Sequence, residues 1–159
     1  MRTPVLSAVF AAFVLCVGTS CGDQGGSGSG ASSASVDGPV FGRHAAEKGS
    51  GPFTATHILI GARHPRMRDV ERSKTQALAA AREVMKKLEA GAKLDDMVAN
   101  YTDDKGSVGR PGQPDGQYTF GPREMAPPFE QAVRETPIGR VYPDPVETEF
   151  GYHIIRRDK

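Results

Sequence analysis

The chain has 159 residues, a formal net charge of +1 and two cysteines. Domains commonly run to about 100–150 residues, so this length allows one domain plus appended segments. The near-neutral balance provides no electrostatic footprint for nucleic acid or for an anionic membrane surface.

The first residues differ from the rest. Met1-Arg2-Thr3-Pro4 is a short basic start, and Val5 to Val17 is an apolar run closed by small residues before Cys21. Such a run is too short for a bilayer span, which needs about 20 apolar residues, and it has the form of a secretory signal over residues 1–20. A buried core helix is the plainer alternative. Gly18-Thr19-Ser20 ahead of Cys21 resembles a bacterial lipobox, in which a lipidated cysteine becomes the first mature residue. The match departs from the pattern at Gly18, where a leucine is usual. Ordinary cleavage nearby would instead leave a free thiol at Cys21. Cys16 lies inside the apolar run and leaves with the signal, so the mature chain has no intrachain disulfide.

Residues 21–52 are rich in Gly, Ser, Ala and Asp and poor in large apolar side chains. A segment of that composition cannot bury enough surface to offset its ordering entropy. It is expected to be a flexible tether with a reach of roughly 30 Å. Phe41 and His44 are then decoration on the tether.

Residues 53–159 have the patterning of a domain. Ala55-Thr56-His57-Ile58-Leu59-Ile60 predicts a strand. Gly61 to Arg72 is a basic, proline-interrupted loop. Ser73 with Gln76 three residues on forms a capping box, and Leu78, Ala81, Met85 and Leu88 continue as an apolar stripe at helical spacing up to Gly91. Leu94, Met97 and Val98 mark a short second helix, with Met85 and Met97 as core. Asp103 to Gly116 is turn-rich, and Gln117 to Phe120 predicts a short strand. Pro127-Pro128 opens a third helix through Arg134, at positions that tolerate a missing N–H. Val141 to Glu147 predicts an interrupted edge strand, since Pro143 and Pro145 cannot serve a central ladder. Phe150-Gly151-Tyr152-His153-Ile154-Ile155 predicts the last strand.

The first and last strands are apolar on both faces, which makes them central rather than edge strands. Each nevertheless carries a histidine, His57 and His153. A buried imidazole needs a partner, and the economical arrangement has the two rings facing each other. His44, His57, His64 and His153 show no metal-ligand spacing such as H-E-x-x-H.

Several long motifs occur in one order across Ala55 to Arg157. The opening strand has the form [AS]-x-H-I-L-[VI], and Leu88-Glu-Ala-Gly91 and Asn100-Tyr-Thr-Asp-Asp104 follow. Phe120, Met125, Phe129, Glu130 and Ala132 match F-x-x-x-x-M-x-x-x-F-E-x-A, and Pro145 to Ile155 match P-V-x-T-x-F-G-[YF]-H-I-I. The segment resembles the parvulin-type (rotamase, PpiC-type) peptidyl-prolyl cis/trans isomerases. That resemblance implies an α+β fold in which a four-stranded antiparallel sheet is surrounded by helices.

It also implies a site. His57 and His153 would be the paired histidines at its centre, and Thr148 would support them. Asp104 falls beside the reacting bond, although a solvated residue capping a turn is an equal alternative. Phe120, Met125 and Phe129 would form the proline pocket, with Phe129 as its partly open floor. The family usually has G-G-x-[LM]-G-x-F ahead of the pocket, so here Gln117 takes the place of an apolar substrate-binding residue and Tyr118 that of a turn glycine. Arg63, Arg66, Arg68 and Arg72 do not match the spacing of phosphate-selective members.

The implied reaction makes and breaks no covalent bond, so it needs no nucleophile, metal or cofactor. The barrier of about 18–20 kcal/mol reflects lost amide resonance. A thousandfold acceleration requires about 4 kcal/mol of preferential binding to the twisted bond. Expected partners are unfolded or proline-containing polypeptides of the bacterial cell envelope, with the membrane reached through a lipid on Cys21. A non-catalytic holdase using the same groove is the competing expectation.

Overall fold

The computed structural model describes residues 40–45 and 51–159. The expected signal segment over residues 1–20, Cys21 and most of the expected tether lie outside them. Among the described residues no helix is long and apolar enough to cross a membrane.

Four strands, β1 (Phe53–Gly61), β2 (Gln117–Phe120), β3 (Val146–Thr148) and β4 (Gly151–Arg157), pair antiparallel in the order β2-β1-β4-β3. β1 and β4 are therefore the central pair, as their two-sided apolar character requires. Helices α1 (Lys74–Glu89) and α2 (Leu94–Tyr101) cover one face, and α3 (Pro127–Glu135) covers the other.

The alternation of β1 divides the core in two. Ile58 and Ile60 join Tyr152 and Ile154 against α1 and α2, where Ala81, Val84, Leu88, Leu94 and Val98 are buried. Phe53 and Ala55 join Ile155 and Val146 against Phe129, Ala132 and Val133 of α3. Each of the larger side chains contributes about 1.5–3 kcal/mol by leaving water.

Local chemistry sets the helix ends. Ser73 accepts from the Gln76 amide while the Gln76 side chain accepts from the Ser73 amide, the reciprocal box its spacing predicts. Gly91, at φ +96°, lets the chain turn away after α1. Pro127 and Pro128 occupy the first turn of α3, where their missing donors cost nothing.

Two expectations are corrected. The edge strand does not begin at Val141: β3 spans only Val146–Thr148, and Val141 makes isolated bridges to Arg156 and Phe41. Pro143 and Pro145, which lack an N–H, separate the two pieces. Phe41 and His44 are not decoration either. Phe41 bridges Val141 in parallel and packs on the core, while the His44 amide donates to the Glu135 carbonyl at 2.7 Å. Arg43 adds a 2.9 Å ion pair with Asp144 and lies 4.5 Å over the Tyr142 ring.

Candidate active site

In the β1–β4 register His57 faces Ile155, and Leu59 faces His153. The two histidines are thus diagonal neighbours on one sheet face, within reach of each other's rings. Their centroids are 5.4 Å apart and the planes are inclined at 53°. The Phe129 ring of α3 meets both at nearly right angles, with centroids 5.5 Å from His57 and 5.4 Å from His153.

Each ring has a polar partner at Nε2. His153 shares a 2.8 Å hydrogen bond with the Thr148 hydroxyl of the neighbouring strand. His57 Nε2 lies 3.3 Å from Asp104 Oδ2. Both Nδ1 atoms are buried without a hydrogen-bond partner among the described residues. Burial drives the His153 pKa down to about 3, helped by the neighbouring His57 and opposed by Asp104, so His153 is neutral at physiological pH.

Asp104 is brought in by a segment that runs beside the end of β1. The Asp103 amide donates to the Leu59 carbonyl at 2.8 Å, the Leu59 amide to the Thr102 hydroxyl at 3.2 Å, and the Gly61 amide to Asp103 Oδ2 at 2.8 Å. The carboxylate of Asp104 then divides its work. Oδ1 accepts from the Gly106 amide and caps the short 3-10 turn Lys105–Ser107, while Oδ2 faces His57 and accepts from the Tyr118 hydroxyl at 2.9 Å. One side chain thus caps the turn and also reaches the cavity. Burial works to raise the Asp104 pKa, but the bonds with His57 and Tyr118 outweigh it and hold the carboxyl below its usual value.

Above the histidines lies an open cavity of about 710 Å³. His57 and Leu59 of β1, Phe150 and His153, Asp103 to Gly106, Tyr118 and Met125 line it, and Arg66 to Val70 form the far wall. Arg72 ties that wall down with two bonds to Asp103, at 2.7 and 3.2 Å. Among the described residues no group of His, Cys, Asp or Glu is placed to hold a metal ion.

His57, His153, Asp104, Thr148, Met125 and Phe129 are thus gathered in one place. Phe129 differs from expectation: it is 1% exposed, and the two histidines lie between its ring and the cavity. It is a buried support. Phe120 likewise packs beneath, between Phe53 and Phe129, with centroids at 6.2 and 5.8 Å. Gln117 points to the other face of the sheet, where its amide donates to Asp158 at 3.0 Å. Strand alternation gives the site to its neighbour Tyr118 instead. That signal was available in the sequence, since Tyr118 is two residues before Phe120 and must share its face. Phe150 sits in the F-G-[YF]-H motif and Arg66 and Arg68 in the basic loop, but no local spacing placed either at the cavity.

A model of the PPIC-type PPIase domain matches residues 43–159. The chain belongs to that family. Among its relatives is the foldase protein PrsA 2 of Listeria monocytogenes, 39% identical over 79 residues, which cover 50% of this chain and 26% of the relative. The chaperone SurA of Chromohalobacter salexigens is 33% identical over 99 residues, covering 62% of this chain and 20% of that one. The crystal structure of PrsA from Bacillus subtilis superposes with a TM-score of 0.51 and 30% identity over 69% of this chain and 35% of that one. The matched region therefore spans about a quarter of the PrsA relative's length and a fifth of the SurA relative's.

Proposed function

We propose that this PPIC-type domain is a peptidyl-prolyl cis/trans isomerase acting on unfolded, exported polypeptides. The observation that carries the reading is the His57–His153 pair, braced by Thr148, Asp104 and Phe129, at the base of an open cavity. Rotation about an X–Pro bond needs an apolar grip on the pyrrolidine ring and a preorganised polar surface for the carbonyl and nitrogen as resonance is lost. Leu59, Met125 and Phe150 supply the apolar wall, and the fixed histidine–aspartate network supplies the polar one. A rigid network favours the twisted state over either planar one because its dipoles need no reorganisation.

The test is isomer exchange on an unphosphorylated Ala-Xaa-Pro peptide with the full chain. Acceleration of at least a hundredfold over the free peptide, lost in His57→Ala with the fold retained, is expected. No acceleration, together with suppression of client aggregation, would establish the second reading, a holdase. Likeness to a chaperone SurA favours that alternative.

Cys21 is proposed as a lipid anchor that tethers the domain to the bacterial cell envelope through residues 21–52, on the support of the small residues before it and the composition after it. Cys21→Ala should move the protein to the soluble fraction or trap its precursor. Unchanged mass and partitioning would remove the anchor.

A further inference from the structure

Tyr118 stands where the family pattern carries a glycine, and it has made a place for itself. Its strand partner is Ala55, a small side chain on that face of β1, so the tyrosine ring can lean diagonally onto His57. The rings stack at 5.4 Å with an interplanar angle of 18°. The hydroxyl reaches Asp104 Oδ2 at 2.9 Å. On the other side the Arg110 guanidinium lies 4.3 Å over the ring and also donates to the Gln117 carbonyl of the same strand.

We propose that Tyr118 is a positioning residue of the site: its hydroxyl fixes the Asp104 carboxylate against His57, and Arg110 clamps Tyr118 in the pose that does so. The proposal rests on the isomerase reading for its kinetic consequence but not for the contact itself. A turn carboxylate without Tyr118 would have only the Gly106 amide and His57 to orient it. With a glycine at this position, moreover, one face of the His57 ring would open to the cavity, whereas here that ring is 2% exposed.

The charges around Asp104 leave Tyr118 with a distinct share. His57 from β1 and His153 from β4 face the carboxylate across the site. Lys105 sits beside it but turns its ammonium to the Thr102 carbonyl at 3.1 Å, and the adjacent Asp103 is held by Arg72. Arg66, Arg68 and Asp69 lie on the far wall. Tyr118 and His57 are therefore the two side chains that meet Asp104 Oδ2. The ionisation of Tyr118 is pushed up by burial and by the Asp104 carboxylate, the reciprocal sign of the same bond.

Tyr118→Phe keeps the stacked ring and removes only the donor. Two readouts in the full chain test it: the pH titration of the Asp104 side-chain carboxyl carbon by NMR, and kcat/KM for a proline peptide across pH. A donor to an anion favours the anion, so its loss should move the Asp104 midpoint to higher pH. The kcat/KM should fall about tenfold, the scale of one charge-assisted hydrogen bond, with the acid limb of its profile following the midpoint. Asp104→Asn gives the converse measurement, a Tyr118 phenol that ionises at lower pH. An unmoved Asp104 midpoint in Tyr118→Phe, or an unmoved phenol in Asp104→Asn, would overturn the contact. A shifted midpoint with unchanged kcat/KM would overturn the positioning role. A parent chain with no isomerase activity would sink the isomerase reading, and the two titrations would still decide the bond.

Discussion

Replacing Phe129 by alanine separates a buried support from a pocket floor. The ring is 1% exposed and is met by Phe120, His57 and His153 at centroid distances of 5.8, 5.5 and 5.4 Å. Truncating a phenylalanine so enclosed costs about 3–5 kcal/mol through lost transfer energy and the cavity left behind. A domain of this size has about 5–15 kcal/mol in hand, so about a fifth of its stability or more is at stake. With a urea dependence of about 2 kcal/mol per molar, the unfolding midpoint should fall by roughly 2 M. Phe129→Leu keeps most of the volume and should cost about 1–2 kcal/mol, yet it removes the ring packed at right angles against both imidazoles, so kcat/KM should fall as well. Urea unfolding followed by circular dichroism, beside peptide isomerisation, measures both. A loss below about 1 kcal/mol in Phe129→Ala would show that the ring is not the packed support described here.

His153 makes stability depend on pH. Its pKa is about 3 in the fold against 6.5 ordinarily, so the unfolded chain binds the extra proton between those values. Its contribution is complete above about pH 6.5 and declines toward pH 3 by up to about 1.4 kcal/mol per pH unit; urea midpoints at pH 7, 6 and 5 should show a shallower slope in His153→Gln, and equal slopes would refute the assignment. Thr148→Val leaves His153 Nε2 buried without its 2.8 Å partner and should cost about 1–3 kcal/mol, measured by the same unfolding curves. Gly151, at φ +143°, admits no side chain, since a Cβ there would lie 2.3 Å from the Ile60 carbonyl oxygen; Gly151→Ala should cost about 3 kcal/mol and weaken β1–β4 pairing, read as faster amide exchange at Ile60 and Tyr152.

Sequence alone determined the helices, most of the strand bounds and which strands would be central. Those properties follow from short-range rules: alternation in β1 and β4, the Ser73–Gln76 box, and the prolines opening α3. It also brought His57 and His153 together, because two polar rings on two-sided apolar strands need a common solution. The walls of the site were decided by tertiary structure. Asp104 reaches His57 only because Thr102 and Asp103 bond to the free edge of β1, and no local spacing encodes that approach. The exchange of Gln117 for Tyr118 was by contrast legible locally, since one step along a strand reverses the side chain and Tyr118 shares the face of Phe120. Phe129 is sealed rather than open because the histidines themselves lie over it. Composition can mark a ring as apolar, but only packing determines what covers it.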